Sequence, residues 1–420
     1  MISIEEMGRR AKAASQVMSS FLPRDRSRAL LAVKDALRHK APEILKANEQ
    51  DLEDARKNGI GEALLDRLTL NAKRLDGIIA DIGHVAALPD PTGEEFDSRV
   101  LPNGLRLRKR RVPLGVLGVI YEARPNVTSD IASLAIKTGN ACILRGGKET
   151  LRSNLLISAA IRQGLRDAGF PEDAVQLISE PDHEYVNQLL KLDKYVDMII
   201  PRGGQKLQDL CRRESSVPVI IGGFGVGHIF VDASADQERS LPLIGNAKLQ
   251  KPSACNAVDT VLVHREIAGE FIPKLGRYLA DRDVKMVAHG AAYEILKAVA
   301  PENTRQGEDG DFDTEWLSLT VNIAITDSLD AAVAHLRAHG AVHSDAILTN
   351  EYKNALAFMN AVDSACVYVN ASTRFSDGGQ FGLGAEVAIS TQKLHARGPM
   401  GLLELTTYKW ICEGDYAIRE

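Results

Sequence analysis

The chain has 420 residues, with 51 lysines and arginines against 56 aspartates and glutamates, for a formal net charge of −5. Its 45% hydrophobic and 25% charged content is ordinary globular composition and excludes a disordered chain; an isoelectric point near 6.1 excludes a strongly basic nucleic-acid binder. At this length two or three domains are expected, because single cores stop growing near roughly 250–300 residues. No apolar run approaches the roughly 18 residues that cross a bilayer. The start, Ile2-Ser3-Ile4-Glu5-Glu6, is acidic and does not read as a secretory signal. The five cysteines (Cys142, Cys211, Cys255, Cys366 and Cys412) are odd in number and scattered, with no CxxC pair. No disulfide framework is expected, and the simplest expectation is a reducing cytoplasm with neither membrane nor nucleic acid as partner.

Up to residue 90 the chain reads as helical. Leu30, Val33 and Leu37, then Ile44, Leu45, Leu52 and Ala55, recur at helical spacing between charged residues. Pro42 suits a first helical turn and Gly59 a stop. Pro102-Asn103-Gly104 is a turn signal, and Leu105 and Leu107 alternate with Arg106 and Arg108, so a long hairpin is expected there. After Val112, apolar runs at 115–120, 141–144, 174–178, 196–200, 217–221 and 229–231 alternate with helix-length amphipathic segments. The alternation resumes at 258–263, 284–288, 320–325, 346–348 and 366–369. This pattern predicts an α/β protein with two parallel sheets covered by helices, divided near 222–227. The acidic stretch 301–313 is expected as an exposed loop.

Glycine-rich turns follow expected strands at 145–148, 201–204 and 222–227. Such turns lie where ligands bind in doubly wound sheets, and glycine lets a phosphate approach the backbone. None meets a standard nucleotide fingerprint, so structural turns remain an equal reading. Arg145 and Lys148 put cations at one such turn, which favours a 2′-phosphate and hence NADP; two solvated surface cations are the alternative.

Cys255 lies in Lys251-Pro252-Ser253-Ala254-Cys255-Asn256, a turn of small residues that leaves a thiol accessible. The other cysteines sit in apolar strand patterns or an amphipathic helix, where cysteine is an inert small hydrophobe. Cys255 is therefore the candidate nucleophile. His335, His339 and His343 lack the HExxH pattern, since Leu336 follows the first, and they read as surface histidines. The basic run Arg106, Arg108, Lys109, Arg110 and Arg111 has no interleaved aromatics and reads as a solvated or subunit-contacting edge.

Several long motifs then carry a resemblance. Val112-Pro113-Leu114-Gly115-Val116-Leu117-Gly118-Val119-Ile120-Tyr121-Glu122-Ala123-Arg124-Pro125-Asn126-Val127-Thr128 resembles the signature of the γ-glutamyl phosphate reductases, a branch of the aldehyde dehydrogenase superfamily acting in proline biosynthesis. The likeness continues through Leu144-Arg145-Gly146-Gly147-Lys148-Glu149, Ile200-Pro201-Arg202-Gly203-Gly204 and the cysteine segment. It closes with Asn370-Ala371-Ser372-Thr373-Arg374-Phe375, Gly378-Gly379-Gln380-Phe381-Gly382-Leu383-Gly384-Ala385-Glu386 and Gln392-Lys393-Leu394-His395-Ala396-Arg397-Gly398-Pro399-Met400-Gly401.

The resemblance implies an aldehyde-dehydrogenase-like fold. Residues 1–96 and 114–230 would bind the dinucleotide, 231–403 would form the catalytic domain, and 97–113 with 404–420 would form a small oligomerisation sheet. It implies that Cys255 is the nucleophile and Asn126 the amide that stabilises an oxyanion. Arg145 and Lys148 would meet the adenosine ribose or its phosphate, Gly203 and Gly204 the cofactor phosphates, and Glu315 the nicotinamide ribose. Arg124, Ser372, Thr373 and Arg374 are candidates for the substrate's carboxylate and phosphate, with loop anchoring as the alternative for Arg374. Hydrolytic relatives carry a glutamate base before a Gly-Gly; here Val219, Ile220 and Ile221 precede Gly222-Gly223. Loss of that base suits an enzyme that must not hydrolyse its thioester. The implied reaction is NADPH-dependent reduction of L-glutamyl 5-phosphate through a cysteine thioacyl intermediate, with no metal. A homo-oligomer is implied, and the glutamate kinase that makes the unstable substrate is a candidate partner. A reductase of another acyl phosphate or thioester, or a non-redox protein such as a thiol acyltransferase or a catalytically silent binding partner, is the alternative.

Overall fold

The computed structural model describes residues 2–122 and 124–419, with only the backbone of Ala63; Ala123 of the signature motif lies outside the described residues. The chain divides into two compact units. Unit 1 comprises Met1–Ile221, Leu383–Ala388 and Met400–Glu420; unit 2 comprises Gly222–Gly382 and Ile389–Pro399.

Unit 1 opens with helices. In α1 (Ile4–Met18) the Ser3 hydroxyl caps the first turn by accepting the Glu6 N–H. Pro42 does not start a helix: it lies inside the 35-residue α2 (Pro23–Lys57), which starts on Pro23 instead. The helix survives because Pro42 is exposed, so water can reach the carbonyl one turn back that its missing N–H leaves unpaired. Leu30, Val33, Leu37 and Ile44 carry one buried stripe across it. The helices α3 (Glu62–Leu68) and α4 (Ala72–Ala87) follow. The strands β1 (Glu95–Val100) and β2 (Arg106–Pro113) then form an antiparallel hairpin, and Thr406–Glu413 pairs with the other edge of β2.

The rest of unit 1 alternates. In chain order come β3 (Val116–Tyr121), α5 (Asn126–Lys137), β4 (Ala141–Arg145), α6 (Leu151–Asp167), β5 (Val175–Leu177), α7 (Glu184–Leu190), β6 (Met198–Arg202) and α8 (Gln205–Glu214). The strands form a parallel four-stranded sheet in the order β5-β4-β3-β6. Both faces are covered, which explains apolar runs in place of alternation. Gly164 on α6 permits a close helix crossing, since a Cβ there would lie 2.4 Å from Val33 Cα of α2. Residues 217–221 are not a strand; one isolated bridge links Val219 to Ile199. The order reverses at β3, so the turns after β3 and β6 face each other at the carboxyl ends, where such sheets bind ligands.

Unit 2 begins at Gly222, which has no room for a side chain: a Cβ would lie 2.0 Å from the Ile389 carbonyl oxygen. Its elements are β7 (His228–Val231), α9 (Gln237–Leu249), β8 (Thr260–His264), α10 (Arg265–Ala280), β9 (Lys285–Ala288), α11 (Ala291–Val299), β10 (Thr304–Gln306), β11 (Thr320–Thr326), α12 (Leu329–Ala338), β12 (Ser344–Leu348), α13 (Tyr352–Ala361) and β13 (Cys366–Val369). They build a parallel seven-stranded sheet in the order β10-β9-β11-β8-β7-β12-β13, with an apolar core on each face. The acidic stretch 301–313 is thus not all loop, because β10 adds an edge strand beside β9. His343 is not a surface residue but fully buried, and His335 packs against His228, His339 and Phe312. No helix among the described residues is long and apolar enough to cross a membrane.

Candidate active site

In unit 1 the glycine turns sit at the carboxyl ends of the sheet. Gly203 and Gly204 follow β6, and Gly204 immediately precedes α8. The Gly204 N–H donates to Glu122 Oε2 at 3.2 Å, so this helix start already attracts a carboxylate. Open space lies beyond Gly204, and Glu122 is exposed enough to give way to a phosphate. Lys148 is exposed in the 3₁₀ turn leading into α6, with no ion-pair partner among the described residues. A cation at a helix start opposes the helix dipole, which an incoming anion would relieve.

Arg145 has a different employment from the one implied by resemblance. It is buried, and its guanidinium donates to the Gly146 carbonyl at 3.1 Å and the Pro181 carbonyl at 2.7 Å. It therefore shapes two turns, whereas Lys148 keeps its charge at the surface. Asn126, the first residue of α5, donates from Nδ2 to Asp130 Oδ2 at 2.8 Å. One turn of helix separates the two, which places them on one face. Burial pushes the Asp130 carboxyl up to about 6, against the lowering effect of the Asn126 hydrogen bond. Asp130, Asp81, His84 and Glu386 line a cavity of about 240 Å³. Arg124 is exposed, and its carbonyl accepts the Val127 N–H.

In unit 2 the loop that carries Cys255 runs from the end of α9 to the start of β8. Turns close it, with Ala254 N–H to Lys251 O and Ala257 N–H to Ala254 O. Cys255 is half-buried, whereas Cys142, Cys211 and Cys366 are buried. Cys412 is exposed on the C-terminal strand and is not the packing residue expected. Burial lowers the Arg374 guanidinium, and the negative charge of a Cys255 thiolate opposes that shift. The two groups are therefore electrostatic neighbours. Arg374 Nε also donates to Gln250 Oε1 at 2.8 Å.

Ser372 and Thr373 are not placed to hold substrate. Ser372 is buried and caps a 3₁₀ turn, accepting the Arg374 N–H. Thr373 is 0% exposed, and its hydroxyl donates to the Asn256 carbonyl at 2.6 Å. A hydroxyl buried and engaged in this way is a structural donor.

Glu315 is half-buried, and its Oε1 has no hydrogen-bond partner among the described residues. Burial, and secondarily the charge of Asp259, push its carboxyl up to about 7, with Lys248 pulling the other way. Lys248 is wholly buried and lies 3.4 Å from Asp259, which also accepts the Trp316 N–H. An unpartnered carboxyl oxygen of this kind is suited to ribose hydroxyls. Lys248 and Asp259 are invisible in the sequence, where a lysine in an amphipathic helix reads as solvated.

The sequence model of the aldehyde dehydrogenase family matches residues 3–289, and the chain belongs to this family of oxidoreductases. A gamma-glutamyl phosphate reductase from Aeromonas salmonicida (strain A449) is 55% identical over 417 residues, covering 99% of this chain and 100% of that one. The crystal structure of a gamma-glutamyl phosphate reductase from Thermotoga maritima is 43% identical with a TM-score of 0.95, covering 99% of each chain. Within the family, the chain belongs with the gamma-glutamyl phosphate reductases. An acetylating aldehyde dehydrogenase from Geobacillus thermoglucosidasius, 17% identical with a TM-score of 0.67 over 99% of this chain and 97% of that one, shares the fold.

Proposed function

We propose that this enzyme reduces L-glutamyl 5-phosphate to L-glutamate 5-semialdehyde and phosphate with NADPH, in proline biosynthesis. The identity with the gamma-glutamyl phosphate reductases supports the reaction. The single observation that carries the mechanism is the half-buried thiol of Cys255, accessible in its turn where Cys142, Cys211 and Cys366 are buried, with the Arg374 cation as an electrostatic neighbour. A cationic neighbour favours the thiolate, the form that attacks carbonyl carbon.

The Cys255 thiolate adds to the γ-carbonyl. The Cys255 backbone N–H donates to the oxyanion that forms, and the Asn126 amide is the second donor that the family resemblance implies. The C–O bond to phosphate then breaks and phosphate leaves with the electron pair, giving a thioester on Cys255. Arg374, an electrostatic neighbour of Cys255, would meet the departing phosphate. Arg124, exposed in unit 1, is the candidate for the α-carboxylate. The residues fit a nicotinamide dinucleotide: Gly203 and Gly204 for its phosphates, Lys148 for a 2′-phosphate and Glu315 for ribose hydroxyls. When bound, it supplies one hydride. Cys255 finally leaves the thiohemiacetal as thiolate, releasing the aldehyde. No carboxylate stands at 219–221 to activate water against the thioester.

The assay is the reverse reaction, NADP reduction with glutamate semialdehyde in the presence and absence of phosphate. Turnover should require phosphate, and Cys255→Ser should cut it by roughly 10³-fold or more. Phosphate-independent turnover, or an active Cys255→Ser, would reject the scheme.

The three-stranded sheet of β1, β2 and Thr406–Glu413 fits a subunit contact. Lys109 lies over Phe96, Tyr408 and Trp410, and the latter two are exposed. Trp410→Glu should lower the assembly mass measured by light scattering.

A further inference from the structure

Asn256 follows the nucleophile directly, and both its ends are held by one turn. Its carbonyl accepts the Thr373 hydroxyl at 2.6 Å, and its Nδ2 donates to the Ser376 carbonyl at 2.8 Å. All three residues are buried. The turn is itself tied into the sheet. Ser376 Oγ lies 2.5 Å from Ser344 Oγ, at the start of β12, and 2.7 Å from the Tyr368 hydroxyl on β13. Ser344 Oγ in turn meets His343 Nδ1 at 2.7 Å. A chain of hydroxyls and amides therefore runs from the amino ends of the sheet to Asn256, the residue that follows Cys255. The Asn256 Oδ1 atom is buried with no hydrogen-bond partner among the described residues, a cost that a residue selected for stability alone would avoid.

The geometry points to Thr373, acting through Asn256, as a positioning residue for Cys255: it fixes the residue after the nucleophile by its carbonyl, so that the sulfur and the Cys255 N–H address the same carbonyl of the substrate. This rests on the reading of Cys255 as nucleophile and extends it. It replaces a substrate-holding role for Thr373 with control of the reacting geometry. Displacing a catalytic group by about 1 Å costs roughly 10²-fold in rate, whereas a hydroxyl that bound substrate would act on KM.

The test compares Thr373→Val, which keeps the shape and loses the hydroxyl, with Thr373→Ser, which keeps the hydroxyl. In the phosphate-dependent reverse assay, Thr373→Val should lower kcat by roughly 10–100-fold with KM for semialdehyde and phosphate within about twofold. It should also slow iodoacetamide alkylation of Cys255, which needs no substrate. Thr373→Ser should restore kcat to within about threefold. If Thr373→Val does not fold, Thr373→Ala, which also removes the hydroxyl, takes its place with the same readouts. Wild-type kcat in these variants, a change confined to KM, or failure of serine to rescue would overturn the proposal. Cys255→Ser is measured alongside. If that variant is inactive while Thr373→Val is normal, positioning alone fails; if Cys255→Ser is active, the nucleophile reading fails and positioning with it.

Discussion

The two groups proposed to stabilise the oxyanion are held in unlike ways. In unit 1 the Asn126 amide is held by Asp130, an ionisable carboxyl pushed up to about 6 by burial. In unit 2 Asn256, the residue after Cys255, is held by Thr373 and Ser376, backed by Ser344, Tyr368 and His343. The titratable members of that second network stay neutral near pH 7. Burial pushes His343 down to about 4 and pushes the Tyr368 hydroxyl up. One anchor therefore titrates within the working range and the other does not. A buried acceptor that can lose its charge makes a donor pH-sensitive, whereas neutral hydroxyls hold a donor at any ordinary pH.

This contrast can be broken experimentally. On the unit 1 side the largest effect is expected from Asp130→Ala, which removes the acceptor of the Asn126 amide and should lower kcat roughly tenfold or more in steady-state assays. Asp130→Asn should keep part of that activity and lose the acid limb near pH 6 that the wild type should show in kcat against pH. An unchanged limb in Asp130→Asn would assign it to another group. The same variant has a stability signature. The native carboxyl is raised above its ordinary 3.8, so between 3.8 and about 6 the folded state binds the extra proton. Its contribution is complete below 3.8 and lost as pH rises towards 6 and beyond. Asp130→Asn should therefore gain urea stability over wild type at pH 7 and lose that gain at pH 4.

A smaller effect is expected at the cofactor turn. Lys148→Ala should raise KM for NADPH about tenfold, about 1.4 kcal/mol, and leave KM for NADH nearly unchanged. Equal effects on both cofactors would remove Lys148 from 2′-phosphate recognition. The smallest effect is at the far end of the hydroxyl chain. Folded His343 is lowered from 6.5 to about 4, so the unfolded chain takes the proton first as pH falls. Its contribution is present above 6.5 and lost towards pH 4. His343→Gln should show a shallower loss of urea stability between pH 7 and pH 5 than wild type.

Much of the fold was legible because parallel strands covered on both faces leave apolar runs, and these recur at β3, β4, β6, β8, β9 and β11. The run at 217–221 misleads for the same reason: apolar burial occurs there with a single bridge and no ladder. Pro42 misleads because a proline on a solvent face is compatible with a helix interior when the neighbouring turns are packed. Within the site, Cys255 stood out by its turn of small residues, and Lys148 by its glycines. Thr373 was visible as part of a motif, but its role was not, because a threonine beside an arginine reads equally as a ligand or as an anchor.

The sequence by itself determined the α/β alternation, the glycine turns, the lack of a disulfide framework and the one cysteine set apart from apolar patterns. These are local properties, carried by side-chain period and composition. Only the tertiary structure decided which polar groups meet: Asp130 beneath Asn126, Lys248 and Asp259 beside Glu315, and the chain from His343 to Asn256. It also turned Arg145 from a ligand candidate into a brace for two turns and left Lys148 as the exposed cation. The reason is physical. Burial and hydrogen bonding depend on contacts between residues distant in the chain, such as Asn256 with Thr373, and no local pattern encodes the partner.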